Sequence, residues 1–125
     1  MIVGLGIDLL ENCCVERELA RGEWLLGDGI FTGEEIRECN SSKKAALRYA
    51  SCFAVKEATL KAMNDGIGDL RAFREVEVRV GSNGEYRVVL HGNAKLRSER
   101  LGTRQIRLSV ARNSRYTAAM VILED

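Results

Sequence analysis

Residues 1–11 read MIVGLGIDLLE, and the fold turns on how this run is taken. Valine, isoleucine and leucine dominate it, so Ile2 to Leu9 reads as the first strand of the chain. At a period of two, Val3, Leu5, Ile7 and Leu9 share one face, and Ile2, Gly4, Gly6 and Asp8 share the other. The glycines leave that second face bare. A glycine within a strand marks close approach by another backbone or by a ligand, and Asp8 stands at the end of a strip with room for something. A carboxylate in apolar surroundings is costly unless it is paired. Either Asp8 marks the strand end and caps the next element, or something positive is bound to it.

Helices follow the strand. NCCVERELAR, residues 12–21, reads as a short helix that Asn12 caps and Gly22 ends. GEWLLGDGI, residues 22–30, is a glycine-bearing connection. In FTGEEIREC, Thr32 with Glu35 three residues later fits a capping box and starts a second helix. Ser41 or Ser42 caps a third and longer helix, from about Lys43 to Met63, and NDGIGD ends it with turn chemistry. The second half changes character. FREVEVRV alternates strictly, GSNG is a hairpin turn, and EYRVVLHG returns. NAKLRSERLG is a short helix ending at Gly102, and RQIRLSVA and YTAAMVILE are two strands around the polar turn RNSR. The order β-α-α-α-β-β-α-β-β predicts an α+β fold: a mostly antiparallel sheet packed on one long helix, in a single domain over residues 1–125.

Composition bounds the partners. The chain has 125 residues, 46% apolar and 30% charged, with 19 basic and 18 acidic residues and a formal net charge of +1. That balance exerts no global pull towards nucleic acid or an anionic membrane. Trp24 is a lone aromatic, and no aromatic–basic interleaving supports nucleic-acid binding. No run of about 20 apolar residues is present to cross a membrane, and Asp8 interrupts the short apolar start, which lacks a charged n-region; a secretory signal is not expected. The four cysteines, at 13, 14, 39 and 52, form no C-x-x-C and lie far from the only histidine, His91. This is a poor zinc pattern and reads as reduced cysteines of a cytoplasmic protein. His91 closes a hairpin strand and reads as structural.

The long helix contains FAVKEATLK, in which Phe53, Glu57 and Lys61 recur every four residues along one face. A surface ion pair between Glu57 and Lys61 would contribute only about 0.2–0.5 kcal/mol. Glu57, however, is surrounded in sequence by Phe53, Ala54, Val55, Ala58 and Leu60, and a second carboxylate stands in an odd place at Asp8. Two carboxylates from different elements, with a lysine one turn from one of them, suit a magnesium–phosphate site. Magnesium takes hard oxygen ligands, usually one or two carboxylates plus substrate phosphates, and the lysine neutralises phosphate charge or protonates a leaving group.

GLGIDLLE at the start, FTGEE near residue 31 and FAVKEATLKAMNDGIG in the middle resemble the holo-acyl-carrier-protein synthases of the phosphopantetheinyl transferase superfamily. That family is marked by G-[IVL]-D near the N-terminus and F-A-x-K-E-A-x-x-K-A about fifty residues later, and the resemblance covers the whole chain. It implies transfer of 4′-phosphopantetheine from coenzyme A to a serine of apo acyl carrier protein, releasing adenosine 3′,5′-bisphosphate. Carried over, Asp8 and Glu57 would bind Mg2+ and Lys61 would contact phosphate and assist proton transfer. Phe53, Lys56 and the turn from Gly66 to Gly68 would help form the coenzyme A site. A homotrimer with sites between subunits is also implied, as is a place in fatty acid biosynthesis.

The chain departs from the family pattern at several positions. Cys52 stands where an arginine usually precedes the phenylalanine, and Cys14 where an arginine often follows the first motif. In RLSVAR, Arg107 and Arg112 replace two histidines while Ser109 remains. Arg48, one helical turn before Cys52, is placed to compensate. Arg17 and Arg21 form an i, i+4 basic stripe that would suit docking of an acidic carrier protein, or else a solvated helix face. Arginine keeps phosphate-binding ability but loses a neutral base near pH 7, for which Glu57 or metal-bound hydroxide could substitute. The alternatives to the enzyme are a diverged member that binds coenzyme A or carrier protein without efficient transfer, and a plain interaction module in which Asp8 merely caps a strand end.

Overall fold

The alternation read at the two ends of the chain brings those ends together. In the computed structural model, which describes residues 1–22, 29–64 and 71–125, β1 (Ile2–Glu11) and β5 (Tyr116–Glu124) pair antiparallel, with Gly6 opposite Val121 and Asp8 opposite Ala119. β4 (Gln105–Arg112) pairs antiparallel with the other edge of β5, giving the order β1-β5-β4. β2 (Val76–Val80) and β3 (Tyr86–Leu90) form a separate two-stranded antiparallel sheet. The helices are α1 (Asn12–Arg21), α2 (Gly33–Ser41), α3 (Ala45–Ala62), α4 (Arg71–Glu75) and α5 (Gly92–Arg100). The expected α+β architecture on one long helix is the one observed.

α3 is that helix. Ala50, Ser51, Cys52, Ala54, Val55, Ala58, Leu60 and Ala62 are all buried, so it is covered on nearly every side. It lies on the inner face of the three-stranded sheet, which presents Gly4, Gly6, Val121 and Leu123 to it. Of the two readings of the bare strip, close approach by another backbone holds, and room for a ligand over Gly4 and Gly6 does not. The space over Gly4 and Gly6 is filled by α3 itself, whose Ala58 and Ala62 backbone groups stand where a Cβ would be. Glycine is there so that two backbones can touch.

The apolar face of β1 points the other way. Leu5, Ile7 and Leu9 are 56%, 58% and 63% exposed, and Met120 of β5 is 40% exposed beside them. The side chains that make β1 read as a buried strand therefore face away from the core.

Several local expectations change. Thr32 and Glu35 form the predicted capping box at α2, and Gly22 ends α1 in a left-handed conformation. Asn12, however, is the first residue of α1 rather than its cap. Its side chain donates to the Asn113 carbonyl at 3.0 Å and accepts from the Thr117 hydroxyl at 2.6 Å, tying α1 to the β4–β5 turn. α3 has no side-chain cap; the Ser42 hydroxyl accepts from the Lys44 amide instead. Phe73 to Glu75, read as strand, belong to α4, where Phe73 is buried and stacks on Phe53 at 5.4 Å. The connection around Trp24, and the NDGIGD turn beyond Asn64 with Gly66 and Gly68, lie outside the described residues.

Candidate active site

The packing of β1 on α3 sets the site. Gly6 brings the strand against Ala58 and Ala62, and Asp8, two residues on, emerges on the same face beside Glu57 and Lys61. Asp8 is 6% exposed. Lys61 closes over it, its Nζ 3.1 Å from Asp8 Oδ1 and 3.2 Å from the Ile7 carbonyl oxygen. Glu57, half-buried one turn earlier, adjoins Asp8 as well. Burial first, and then the neighbouring Asp8 carboxyl, push the Glu57 carboxyl up to about 7, against a smaller opposing effect of Lys61. Asp8, singled out as a carboxylate in an apolar strand, and Glu57 and Lys61, singled out by their spacing, are brought together.

One atom of this group lacks a lasting partner. Asp8 Oδ2 is buried and meets no donor but the Glu57 carboxyl, which offers one only until it ionises. A buried carboxylate oxygen left unpaired costs free energy, and two carboxyls side by side oppose each other's ionisation. One lysine, already shared with a carbonyl, does not resolve that. The donor set fits a hard divalent cation, which would take the free oxygen of Asp8 and draw Glu57 into its ionised form.

The sign of the pH dependence is fixed by the direction of that shift. The folded protein holds a proton on Glu57 up to about pH 7, whereas the unfolded chain releases it near the ordinary value of 4.5. Between those values the folded state binds more protons, so stability falls as pH rises from about 4.5 to about 7 and then levels off. Metal-free thermal unfolding followed from pH 4 to pH 8 is expected to show this decline, and Glu57→Gln to remove most of it.

The remaining candidates divide into two groups. Lys56 is not a surface cation. It is 0% exposed, and its ammonium is engaged by Glu35 Oε1, the Phe73 carbonyl and the Val76 carbonyl, each at 2.7 Å. That position corrects its expected place in a coenzyme A site: a fully enclosed ammonium has no donor left for a phosphate. Phe53 is partly buried and packs into the core against Phe73. Glu35, which sequence reasoning took only as a capping residue, is the centre of this knot; its Oε2 also accepts from the Val78 amide at 2.8 Å and from Cys52 at 3.4 Å. A lysine inside an apolar run was the available signal.

The second group lies around the other half of α3. Arg112 donates to the Ser51 hydroxyl at 3.1 Å. Ser109, Arg112, Gly84, Glu85 and Tyr86 line an open cavity of about 310 Å³ between the β2–β3 hairpin and β4. Arg48 stands over the Tyr86 ring, 5.9 Å from its centroid, and pairs with Glu38 at 3.4 Å. Arg107 instead faces Glu124, 3.1 Å away. Arg17 and Arg21 are exposed on α1, Arg17 reaching Cys14 at 3.1 Å and Arg21 reaching Glu18 at 3.4 Å.

A strand-borne aspartate meeting the E-x-x-x-K face of α3 is the arrangement the resemblance implied, and comparison with known proteins bears on the family itself. Residues 4–121 match the 4′-phosphopantetheinyl transferase superfamily, and the chain belongs to it. Its relatives carry a narrower name. The holo-[acyl-carrier-protein] synthase of Koribacter versatilis (strain Ellin345) is 39% identical over 126 residues, covering 100% of both chains. That of Geobacter sp. (strain M21) is 36% identical over 124 residues, covering 99% of each. The crystal structure of the Neisseria meningitidis holo-[acyl-carrier-protein] synthase superposes with a TM-score of 0.85 at 27% identity over 100% of both chains. The Bacillus anthracis enzyme, solved in complex with coenzyme A (3′,5′-ADP), superposes with a TM-score of 0.78 at 28% identity, covering 98% of this chain and 96% of that one. Within the superfamily the chain therefore falls among the holo-[acyl-carrier-protein] synthases, enzymes that move 4′-phosphopantetheine from coenzyme A to apo acyl carrier protein.

Proposed function

We propose that Asp8 and Glu57 hold a magnesium ion at the pyrophosphate of coenzyme A, and that the chain, one transferase domain over residues 1–125, works with this site as a trimer in the cytoplasm. The observation that carries the metal assignment is the buried, unpartnered Oδ2 of Asp8 beside the half-buried Glu57. Magnesium there supplies charge neutralisation and polarisation of the phosphate under attack. The chain's own groups do the rest. Lys61, 43% exposed and already aimed at Asp8, meets phosphate oxygens and offsets the charge that grows on the departing adenosine 3′,5′-bisphosphate. Ser109 and Arg112 offer the cavity beside Tyr86 to the phosphates of coenzyme A, with Arg48 over the Tyr86 ring nearby, arginine being the side chain suited to such anions. The exposed Arg17 and Arg21 suit an acidic carrier protein. The place served is fatty acid biosynthesis.

One observation supports the trimer. Leu5, Ile7, Leu9 and Met120 make an exposed apolar sheet face of a kind that association buries. Sites between subunits are what the resemblance to the family implies. Sedimentation is expected to give three copies of the 13.9-kDa chain, and Ile7→Glu is expected to dissociate them.

The direct test is transfer itself. The purified protein, coenzyme A, magnesium and an apo acyl carrier protein are incubated and the carrier is weighed by mass spectrometry. A gain of one phosphopantetheine, absent without magnesium, is the expected result. No gain with several carriers, while coenzyme A still binds, would instead support the diverged binding protein, a reading favoured by Cys14, Cys52, Arg107 and Arg112 standing at family positions.

A further inference from the structure

A second set of metal-ligating side chains lies at the β1–α1 junction, three residues beyond Asp8. A carboxylate oxygen of Glu11 and the Sγ atoms of Cys13 and Cys14 all lie within 4.8 Å of one another. Both thiols are free, and all three residues are exposed. The adjacent cysteines alone made a poor zinc pattern; what the fold adds is Glu11. It ends β1 and precedes the first turn of α1, and its Oε2 lies 3.7 Å from Cys13 Sγ.

We propose that Glu11, Cys13 and Cys14 form a binding site for a thiophilic divalent cation, zinc being the best match. Two sulfurs and one carboxylate oxygen are a borderline-soft donor set, unlike the all-oxygen pair of Asp8 and Glu57. With Zn–S near 2.3 Å and Zn–O near 2.1 Å, tetrahedral ligand atoms stand a little under about 4 Å apart. Rotation of exposed side chains about χ1 and χ2 covers the difference without moving the backbone. Water completes the fourth position. The step balances simply: two Cys–SH groups each form an S–Zn bond and release a proton to solvent, Glu11 contributes an existing carboxylate, and no electron is transferred. At about 3.3 Å per strand residue, Glu11 lies about 10 Å along β1 from Asp8, so the two sites are distinct.

The test uses Co2+ as a spectroscopic probe, titrated into the reduced full chain with magnesium in excess to occupy hard-oxygen sites. One equivalent is expected to bind with a thiolate-to-cobalt charge-transfer band that zinc abolishes by displacement. Cys13→Ser and Cys14→Ser are each expected to lose the band, and Glu11→Gln to weaken binding on the order of 10-fold or more. All three positions are exposed, so thermal unfolding of the variants is expected to match the parent and so confirm that the fold is intact. Absence of any band overturns the proposal. So does a band that survives Cys13→Ser and Cys14→Ser, which would assign it to Cys39 and Cys52.

Discussion

Gly6→Ala is expected to destabilise the protein by about 3 kcal/mol or more, the cost of overpacking a site that cannot relax, and to lower Tm by about 10 °C or more. The reason is backbone, not side chain. A Cβ on Gly6 would overlap the Ala58 carbonyl oxygen and stand 2.8 Å from the Ala62 nitrogen and 2.9 Å from the Ala58 carbonyl carbon. Both Ala58 and Ala62 are in mid or late α3, so neither group moves without shifting the helix. Gly33 is the control. A Cβ there meets nothing within 4 Å, and Gly33 is the first residue of α2. Gly33→Ala is therefore expected to be neutral or slightly stabilising, by up to about 1 kcal/mol. Calorimetric unfolding of the two variants against the parent checks both. Equal, small effects would show that α3 does not press on β1 as closely as described. The Gly6 variant that remains folded should also lose activity, because a helix pushed off β1 carries Glu57 and Lys61 away from Asp8.

Much of this was legible. The alternation of VEVRV and YRVVL, the T-x-x-E box at Thr32 and the four-residue spacing of Phe53, Glu57 and Lys61 each state a local geometry that tertiary packing leaves in place. What the sequence hid was direction. The period of two in β1 separates two faces but does not say which is inside. Hydrophobicity favours Leu5, Ile7 and Leu9, whereas the glycine face is the one against α3. A glycine pair reads equally as a gap or as a contact, and only the helix settles it. Lys56 and Glu57 show the same limit at neighbouring positions. Adjacent helix residues point about 100° apart, so one is sealed in the core with Glu35 and the other adjoins Asp8, yet the string KE gives no preference. The α4 turn does leave a trace: EVEVRV alternates from Glu75 onward, but Phe73 and Arg74 fall on the wrong parity, so the period of two ends where α4 lies.

Asp8→Asn separates function from fold. The amide keeps the volume of the carboxylate, so packing against Ala119 and α3 is retained, but one charge of the cation site is gone. If Asp8 and Glu57 together hold magnesium, kcat/KM is expected to fall on the order of 10²–10³-fold, the scale of removing one preorganised electrostatic group from a reacting centre. The magnesium concentration needed for half-maximal rate should rise with it. Stability is expected to move the opposite way. In the parent, Oδ2 of Asp8 is buried without a partner, and Asp8 is one of the causes holding the Glu57 carboxyl up at about 7. The variant removes the like charge and adds an N–H that Glu57 can accept, so Glu57 ionises at lower pH. Metal-free stability at pH 7.5 should then equal or exceed that of the parent, while the gain in Tm on adding magnesium should shrink. The ion pair between Asp8 and Lys61, which the amide cannot form, is partly exposed and contributes little. A site kept at a cost to stability is what a functional carboxylate leaves behind. Full magnesium-dependent activity in Asp8→Asn would remove Asp8 from the metal site. A fall in metal-free Tm that parallels the fall in rate would make it a structural residue at the strand end, which was the other answer to the question its position raises.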